Sequence, residues 1–352
     1  MAISQEFFKN FINSLIQIHS SLSVMRTSET IVENAAQLFG ARGASLMLYD
    51  HGTKTLKSSA ACGLSQFYLN KGPVAADKSL GETLQREPVV ILDATQDERI
   101  QYKEAAALEG IKSIIGVPLH VGNMLVGALR LYFDQINKPD PERLALLENM
   151  ANLAGLALKK SFYFSSFQAA LRSIHGLHSY QKLDDILKNL VTSAARGTYA
   201  KGCILWLLDE ETKTLKHVSG FGMSKSYMEK GPVSINRKLN EVETGNPLIC
   251  YRITQGECIQ YVDQALDEGV QAICGFPVSV VDKIVGALRF YFQFEFEPDE
   301  DDQTYMALLA DQVGIALEKY QRVIPLKNKE NIPRNTLAQA TESSFKQRVT
   351  ES

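Results

Sequence analysis

The chain alternates short apolar runs with turn-forming residues before it shows any recognisable chemistry. Ser45-Leu46-Met47-Leu48-Tyr49-Asp50 reads as a strand closed by His51-Gly52, and Thr55 to Ala61 as its hairpin partner. Gly63 to Asp77, with Gly and Pro, reads as a long connection, and Pro88 to Asp93 as a short apolar strand. Thr95 followed by Glu98 has the spacing of a capping box and predicts a helix running to a stop at Gly110. Ile114 to His120 and Met124 to Phe133, joined across Gly122-Asn123, predict a second hairpin. Pro139-Asp140-Pro141 opens a long helix from Glu142, because proline suits a first helical turn. At the amino terminus Phe8, Phe11, Leu15, Ile18 and Leu22 recur at alternating intervals of three and four, the seam of an amphipathic helix. Helix, strands, helix, strands, helix is an α+β order: a central antiparallel sheet with helices on both faces.

The whole pattern occurs twice. Gly116-Val117-Pro118 returns as Gly275-Phe276-Pro277, 159 residues later. At the same offset Val126 to Arg130 returns as Val285 to Arg289, Tyr132-Phe133 as Tyr291-Phe292, and Thr53 to Lys57 as Thr212 to Lys216. Lys71-Gly72-Pro73 matches Lys230-Gly231-Pro232, and Ile100-Gln101-Tyr102 matches Ile259-Gln260-Tyr261. No gap is needed from Thr53 to Leu158, so each copy is a whole domain rather than a solenoid unit. The expected organisation is a first domain over 1–160, a second over 161–320, and a flexible polar tail over 321–352. Leu144, Leu147, Ala151, Ala154 and Leu158 form one helical seam; Phe164, Phe167, Leu171 and Ile174 form another in shifted register. With Gly155 the only glycine and no proline from Glu142 to Ile174, one long connecting helix is the simplest expectation, and the aromatic and serine run Phe162 to Phe167 suits an interdomain or dimer contact.

Composition changes this picture little. The 352 residues are 45% hydrophobic and 22% charged, in the range of globular domains. A formal charge of -3 offers no electrostatic reason for a nucleic-acid partner. No run approaches the roughly 20 apolar residues of a membrane span, so no membrane partner is expected. Five irregularly spaced cysteines argue for a reducing compartment, and a cytoplasmic location is expected.

Pro88-Val89-Val90-Ile91-Leu92-Asp93, then Gly110 to Leu119, then Val126-Gly127-Ala128-Leu129 resemble the GAF domain family. In that family a strand ending in Asp precedes a helix, a Gly-x-x-Ser segment, a strand ending in Val-Pro-Leu, and a hairpin to a Gly-x-Leu strand. The second copy departs where Asp93 becomes Arg252 and Ser113 becomes Ala272. The resemblance implies a non-catalytic sensor of a small molecule, acting on an effector protein in trans or across a homodimer formed through helices. It does not name the ligand or a cofactor. A ligand-free dimeric scaffold is the structural alternative. The enzymatic alternative is a cysteine-based reductase of the free methionine sulfoxide type, resting on Cys250 and Cys258.

Strand alternation narrows the site. Along Val126 to Phe133, Gly127, Leu129, Leu131 and Phe133 share one face, and Ala128, Arg130 and Tyr132 the other. By analogy with the family the second face looks into the cavity. Arg130 and Tyr132, with Arg289 and Tyr291 in the second copy, are therefore candidate ligand-binding residues. Arginine there could hold a carboxylate or phosphate; a structural ion pair fixing the covering helix is the preferred reading. Arg99, Tyr102 and Tyr261 on the expected covering helix, Met47 with its counterpart Trp206, and Cys258 near the start of that helix complete the candidate set. Trp206 either faces the cavity or fills it. No catalytic residue and no metal ligand set is assigned: Asn137-Lys138 reads as turn chemistry, and His120, His175 and His178 as ordinary polar positions.

Overall fold

A computed structural model describes residues 4–50, 55–72, 74–75, 87–122, 124–175, 183–235, 241–255 and 259–323. It divides into two compact units, Met1–Phe164 and Ser165–Ser352. The boundary falls inside a helix, a few residues beyond the one expected at 160.

The first unit opens with α1 (Gln5–His19), whose first turn is capped by the Ser4 hydroxyl accepting the Phe7 N–H at 3.1 Å. The helix expected through Leu22 stops at His19, and Leu22 lies in the link to a second helix. The Ser20 hydroxyl donates to the Gln17 carbonyl at 2.7 Å, and the Ser23 hydroxyl caps a new helix, α2 (Val24–Phe39), at the Arg26 N–H. Serine hydroxyls there compete with continued helix. Phe11 and Ile18 are buried, while Phe8 and Leu22 are exposed. Next come β1 (Gly43–Asp50), β2 (Thr55–Cys62), a single-turn α3 (Gln66–Leu69), β3 (Val74–Ala75) and β4 (Val89–Ile91). The unit closes with α4 (Lys103–Glu109), β5 (Ser113–Val121), β6 (Met124–Phe133) and α5 (Pro141–His175). The sheet is antiparallel throughout, in the order β3-β2-β1-β6-β5-β4.

The second unit repeats it. After α6 (Leu183–Gly197) come β7 (Gly202–Asp209), β8 (Thr214–Phe221), α7 (Lys225–Met228) and β9 (Val233–Ser234). Then follow α8 (Glu241–Thr244), β10 (Leu248–Cys250), α9 (Val262–Asp267), β11 (Ala272–Val280), β12 (Lys283–Phe292) and α10 (Glu300–Val323). Its sheet order is β10-β11-β12-β7-β8-β9. Both units are the expected α+β fold. Long helices, α2 in the first unit and α6 with α10 in the second, pack on one sheet face. On the other lie the short helices and the apolar clusters that enclose Ala128 and Tyr132, or Ala287 and Tyr291. The close β1–β6 approach requires Gly127: a Cβ there would collide with the Met47 carbonyl, as one at Gly286 would with that of Trp206.

The capping box at Thr95 does not form. The Asp93 carboxylate accepts both the N–H and the hydroxyl of Thr95, at 2.9 and 2.6 Å, so that hydroxyl is a donor, not a cap. The chain runs through turns to Tyr102, and α4 begins only at Lys103. Gly110 does stop it, at φ 75. Thr254 likewise sits in a 3-10 turn, Ile253–Gln255, ahead of α9. The long helix after Pro141 is continuous to His175, with the Arg143 N–H bonded to Asp140 at 3.0 Å. Leu147, Ala151, Ala154 and Leu158 are buried along it, and Phe164 is 39% exposed. Its onward link to α6 lies outside the described residues, as do His178 and the tail beyond Val323.

The β11–β12 turn holds Val281 at φ 56, where the first copy has Gly122 at φ 57. A β-branched residue is strained in this left-handed region. Val281→Gly is expected to stabilise the second unit by about 1 kcal/mol, the relieved clash outweighing the entropy glycine gains on unfolding. Urea unfolding of the variant beside wild type measures it.

Candidate functional site

Both units build the same inner layer on the sheet face opposite the long helices. In the first, Tyr132 projects from β6 and meets Tyr68 of α3 edge to face, ring centroids 5.6 Å apart. The Lys71 ammonium lies 3.6 Å above the Tyr68 ring and donates to the Tyr68 carbonyl at 3.0 Å. In the second, Tyr291 and Tyr227 repeat the ring pair at 5.6 Å, and Lys230 repeats the ammonium at 3.6 Å from Tyr227. The turn carrying each lysine is anchored alike. Glu109, at the end of α4, accepts the Ser65 N–H at 2.9 Å and the Ser65 hydroxyl, and Glu268 does the same to Ser224. Burial opposes ionisation of both carboxylates, but these serine hydrogen bonds hold them below their ordinary range.

The lysines are held against the same penalty with the opposite sign. Burial, helped by the nearby Arg130, lowers Lys71 from 10.5 to about 8; burial, helped by Arg289, lowers Lys230 to about 7.

The units part company in what fills the layer. In the first, a cavity of about 220 Å³ lies against β1 and β2, lined by Ser45, Met47, Ser58, Lys71 and Tyr132 among others. In the second, the space beside Lys230, Val233, Arg289 and Tyr291 is about 10 Å³. Three of the side chains that line the first unit's cavity have larger counterparts in the second. Trp206 stands where Met47 does, His217 where Ser58 does, and Ile204 where Ser45 does. Met47 pairs across the strands with Ser58, and Trp206 with His217, each at a bulge in the ladder. The Trp206 indole N–H donates to the Tyr291 hydroxyl at 3.1 Å, its ring meets His217 edge-on at 6.3 Å, and it lies 4.6 Å from the Lys230 ammonium. In the first unit the Tyr132 hydroxyl bonds Ser45 instead, at 2.9 Å.

The structure brings together Met47 and Tyr132 at the first unit's cavity; in the second unit Tyr261, Arg289 and Tyr291 line a much smaller space, and Trp206 joins Tyr291 and Tyr261 in the apolar cluster. Trp206 fills its cavity. Arg289 makes the structural ion pair: its guanidinium bonds Glu241 of α8 at 2.5 and 3.1 Å, with the Glu241 side chain wholly buried. Arg130, its counterpart, is buried on β6 opposite Ser45. Arg99 is turned away to Asp97, at 2.7 Å, and to the Val90 carbonyl at 3.1 Å. It sits on the turn before α4, not on a covering helix. Tyr102 and Tyr261 occupy the N-cap positions of α4 and α9; the Tyr261 hydroxyl donates to the Pro232 carbonyl at 3.0 Å. Cys258 lies outside the described residues. Cys250 and Cys274 are buried on neighbouring strands, and burial pushes the Cys274 thiol up. The family's Ser113 is structural, donating to the Gln135 carbonyl at 2.7 Å. Sequence reasoning missed Lys71, Ser45, Ser58 and Glu241. The matched Lys-Gly-Pro triplets were the available signal for the lysine.

Two tests follow from these buried charges. Glu241→Ala strands the Arg289 charge and is expected to destabilise the second unit by about 3–5 kcal/mol in urea unfolding, whereas replacing both residues with apolar ones recovers most of the loss. Below pH 7, Lys230 is protonated folded and unfolded, so the desolvation penalty stands in full. Between about 7 and 10.5 the unfolded chain binds a proton the folded one does not, so the lysine's contribution makes stability rise with pH. Lys230→Met is expected to flatten that rise in a pH series of melting temperatures; an unchanged slope contradicts it.

Comparison with known proteins agrees with this architecture. The GAF domain model matches residues 21–159 and again 181–318. A search of curated proteins returned no match. Among solved structures, the chain is similar to the GAF domain of a phosphoenolpyruvate-protein phosphotransferase from Acinetobacter. That match has 20% identity and a TM-score of 0.39, covering 44% of this chain and 94% of that one. It is similar also to a free methionine-R-sulfoxide reductase from Neisseria meningitidis with its substrate, at 13% identity, TM-score 0.39, 46% and 95% coverage. A bacteriophytochrome from R. palustris matches at 10% identity and TM-score 0.43, over 83% of this chain and 64% of that one. The two family matches together span most of the sequence, each over one structural unit, and the chain belongs to the GAF domain family, with two copies in tandem.

Proposed function

We propose that this chain is a small-molecule-sensing regulatory protein whose first domain receives the ligand and whose second is an internally filled copy. GAF domains are sensory modules that bind small molecules, generally without catalysis. What supports the division of labour is that Met47 lines a cavity of about 220 Å³ in the first unit, whereas its counterpart Trp206 is 1% exposed in the second and its indole N–H is taken up by the Tyr291 hydroxyl. The larger space has room for a small metabolite, about seven waters' worth at ~30 Å³ each. It is lined by an apolar wall with a few convergent polar groups, the usual composition of a ligand site.

Binding there reaches the rest of the unit through β1 and β2, whose other face carries α2. To signal, the ligand must favour one arrangement of these elements over another. The output in this reading passes to a partner protein or a second copy of the chain. Phe8, Ile12 and Ile16, four residues apart on α1, are 54%, 41% and 63% exposed, an apolar stripe suited to such a contact. The oligomeric state in solution tests that part. The reductase reading gains no support from Cys250: a nucleophilic thiol needs an accessible, electropositive setting, and Cys250 is buried beside the buried Cys274.

The molecule supplies its own control. Met47→Trp with Ser58→His transplants the second unit's filling into the first. A thermal-shift panel of amino acids, organic acids, nucleosides and phenols is expected to stabilise wild type with at least one compound and the filled variant with none. Silence across the panel, or an equal response from the filled variant, refutes the assignment.

A further inference from the structure

The second unit shows which kind of molecule the first can hold, because its filling is a natural occupant of the same space. There the occupant is an indole. Its N–H meets the Tyr291 hydroxyl at 3.1 Å, its π system lies 4.6 Å from the Lys230 ammonium, and its edge meets His217. The framework around that indole persists in the first unit. Tyr68, Tyr132, Leu56 and Val74 stand where Tyr227, Tyr291, Leu215 and Val233 stand, and the Tyr68–Tyr132 and Tyr227–Tyr291 ring pairs have interplanar angles of 81° and 82°. Only the filling side chains shrink, leaving a cavity bounded by the surroundings of an aromatic ring.

The charge balance changes with them. Lys230 lies over three rings, Tyr227, Trp206 and Tyr261, at 3.6, 4.6 and 5.7 Å. Lys71 lies over one, Tyr68, and donates one hydrogen bond, to the Tyr68 carbonyl. It lines the open cavity with donors to spare, beside the Ser45 and Ser58 side chains. A ligand that restores what Lys230 has must offer a π face, an acceptor, or both. A charge-assisted bond to a carboxylate is the stronger of the two contacts; a ring at the cation adds a smaller attraction and most of the buried area.

We infer that the first domain's cavity takes a small planar aromatic acid, its ring in the space that Trp206 fills in the second domain and its carboxylate on the Lys71 ammonium. The inference rests on the reading of the first domain as the receiving one and adds the ligand's chemical class. The Tyr132 hydroxyl, counterpart of the one that meets the indole N–H in the second unit, lies 2.9 Å from the Ser45 hydroxyl, and the two serve a polar substituent on the ring. Burial of Lys71 supports the assignment of charge, since a desolvated ammonium gains more from an anion than a hydrated one.

The test uses the full chain and four probes at matched ionic strength: benzoate, cyclohexanecarboxylate, indole and inorganic phosphate. Calorimetric titration is expected to give saturable benzoate binding. The saturated-ring acid and the neutral indole should be at least about tenfold weaker, roughly 1.4 kcal/mol, and phosphate silent. Benzoate binding should vanish in the Met47→Trp, Ser58→His variant, fall at least about tenfold in Lys71→Met, and return in Lys71→Arg. Each variant is first confirmed folded by its melting curve without probe. Equal affinity for cyclohexanecarboxylate overturns the aromatic part, and undiminished binding by a folded Lys71→Met overturns the anionic part. No benzoate binding, with another compound from the metabolite panel stabilising wild type but not the filled variant, overturns the chemical class while the receiving domain stands. Silence from both the probes and the panel removes the receiving domain as well.

Discussion

One face of each sheet buries cationic groups beneath its cover, and that charge constrains what surrounds it. A buried charge is tolerated only when it is paired or hydrogen-bonded. The second domain meets the requirement internally. Glu241 reaches from α8 to Arg289 in a fully enclosed ion pair, and three aromatic rings gather round Lys230. The cover is thereby tied to the sheet by charge as well as by apolar contact. Glu268, binding Ser224 and Lys201, fixes the end of α9 to the turn that delivers the lysine.

The first domain keeps the tyrosine pair, the lysine and the glutamate on serine, but changes the side chains that complete the enclosure. Each change is from large to small at a position facing the layer, and two of the three bring in a hydroxyl. Loss of volume alone leaves a cavity at a stability cost that rises with its size. Loss of volume together with gain of polarity leaves a cavity that can accept water or a ligand. A duplicated domain in which one copy fills the layer with its own indole and the other leaves it open is what separate demands on architecture and on binding would produce.

Much of this was legible in the sequence. The gapless repeat, the strand alternation placing Arg130 and Tyr132 opposite Leu129 and Leu131, and the helix after Pro141 depend on periodicity and on residues with strong local preferences. Where the reading failed, the deciding interaction was a side chain choosing between two partners. Thr95 has the spacing of a cap, but Asp93 two residues earlier takes its hydroxyl. Ser20 lies within the apolar period that runs to Leu22, yet its hydroxyl ends one helix, and the Ser23 hydroxyl just beyond it starts another. Arg99 was within reach of the site by spacing, and Asp97 claims it. Such competition is settled by local geometry that spacing does not record. The lysines were overlooked for a related reason: a Lys-Gly-Pro turn reads as solvent-facing, and only tertiary packing reveals that Tyr68 and Tyr227 draw the ammonium inward.

The two copies also show why motif resemblance locates a fold better than a ligand. The residues that carry the family pattern, Asp93, Ser113 and the Gly-Ala-Leu strand, are occupied with structure. Asp93 holds a turn, Ser113 holds the loop after β6, and Gly127 admits the neighbouring strand. Where the second copy abandons Asp93 for Arg252, a new ion pair to Glu295 stands in its place, and the strand order is unchanged. The positions that open or close the cavity, Ser45, Met47 and Ser58 against Ile204, Trp206 and His217, lie outside that pattern. Ser45, Met47, Ile204 and Trp206 are buried on the central strands β1 and β7, and Ser58 and His217 are the exposed cross-strand partners of Met47 and Trp206. Size and polarity can therefore change at these positions without disturbing the fold, and a difference between two copies in one chain says more about the layer's interior than their shared motifs do.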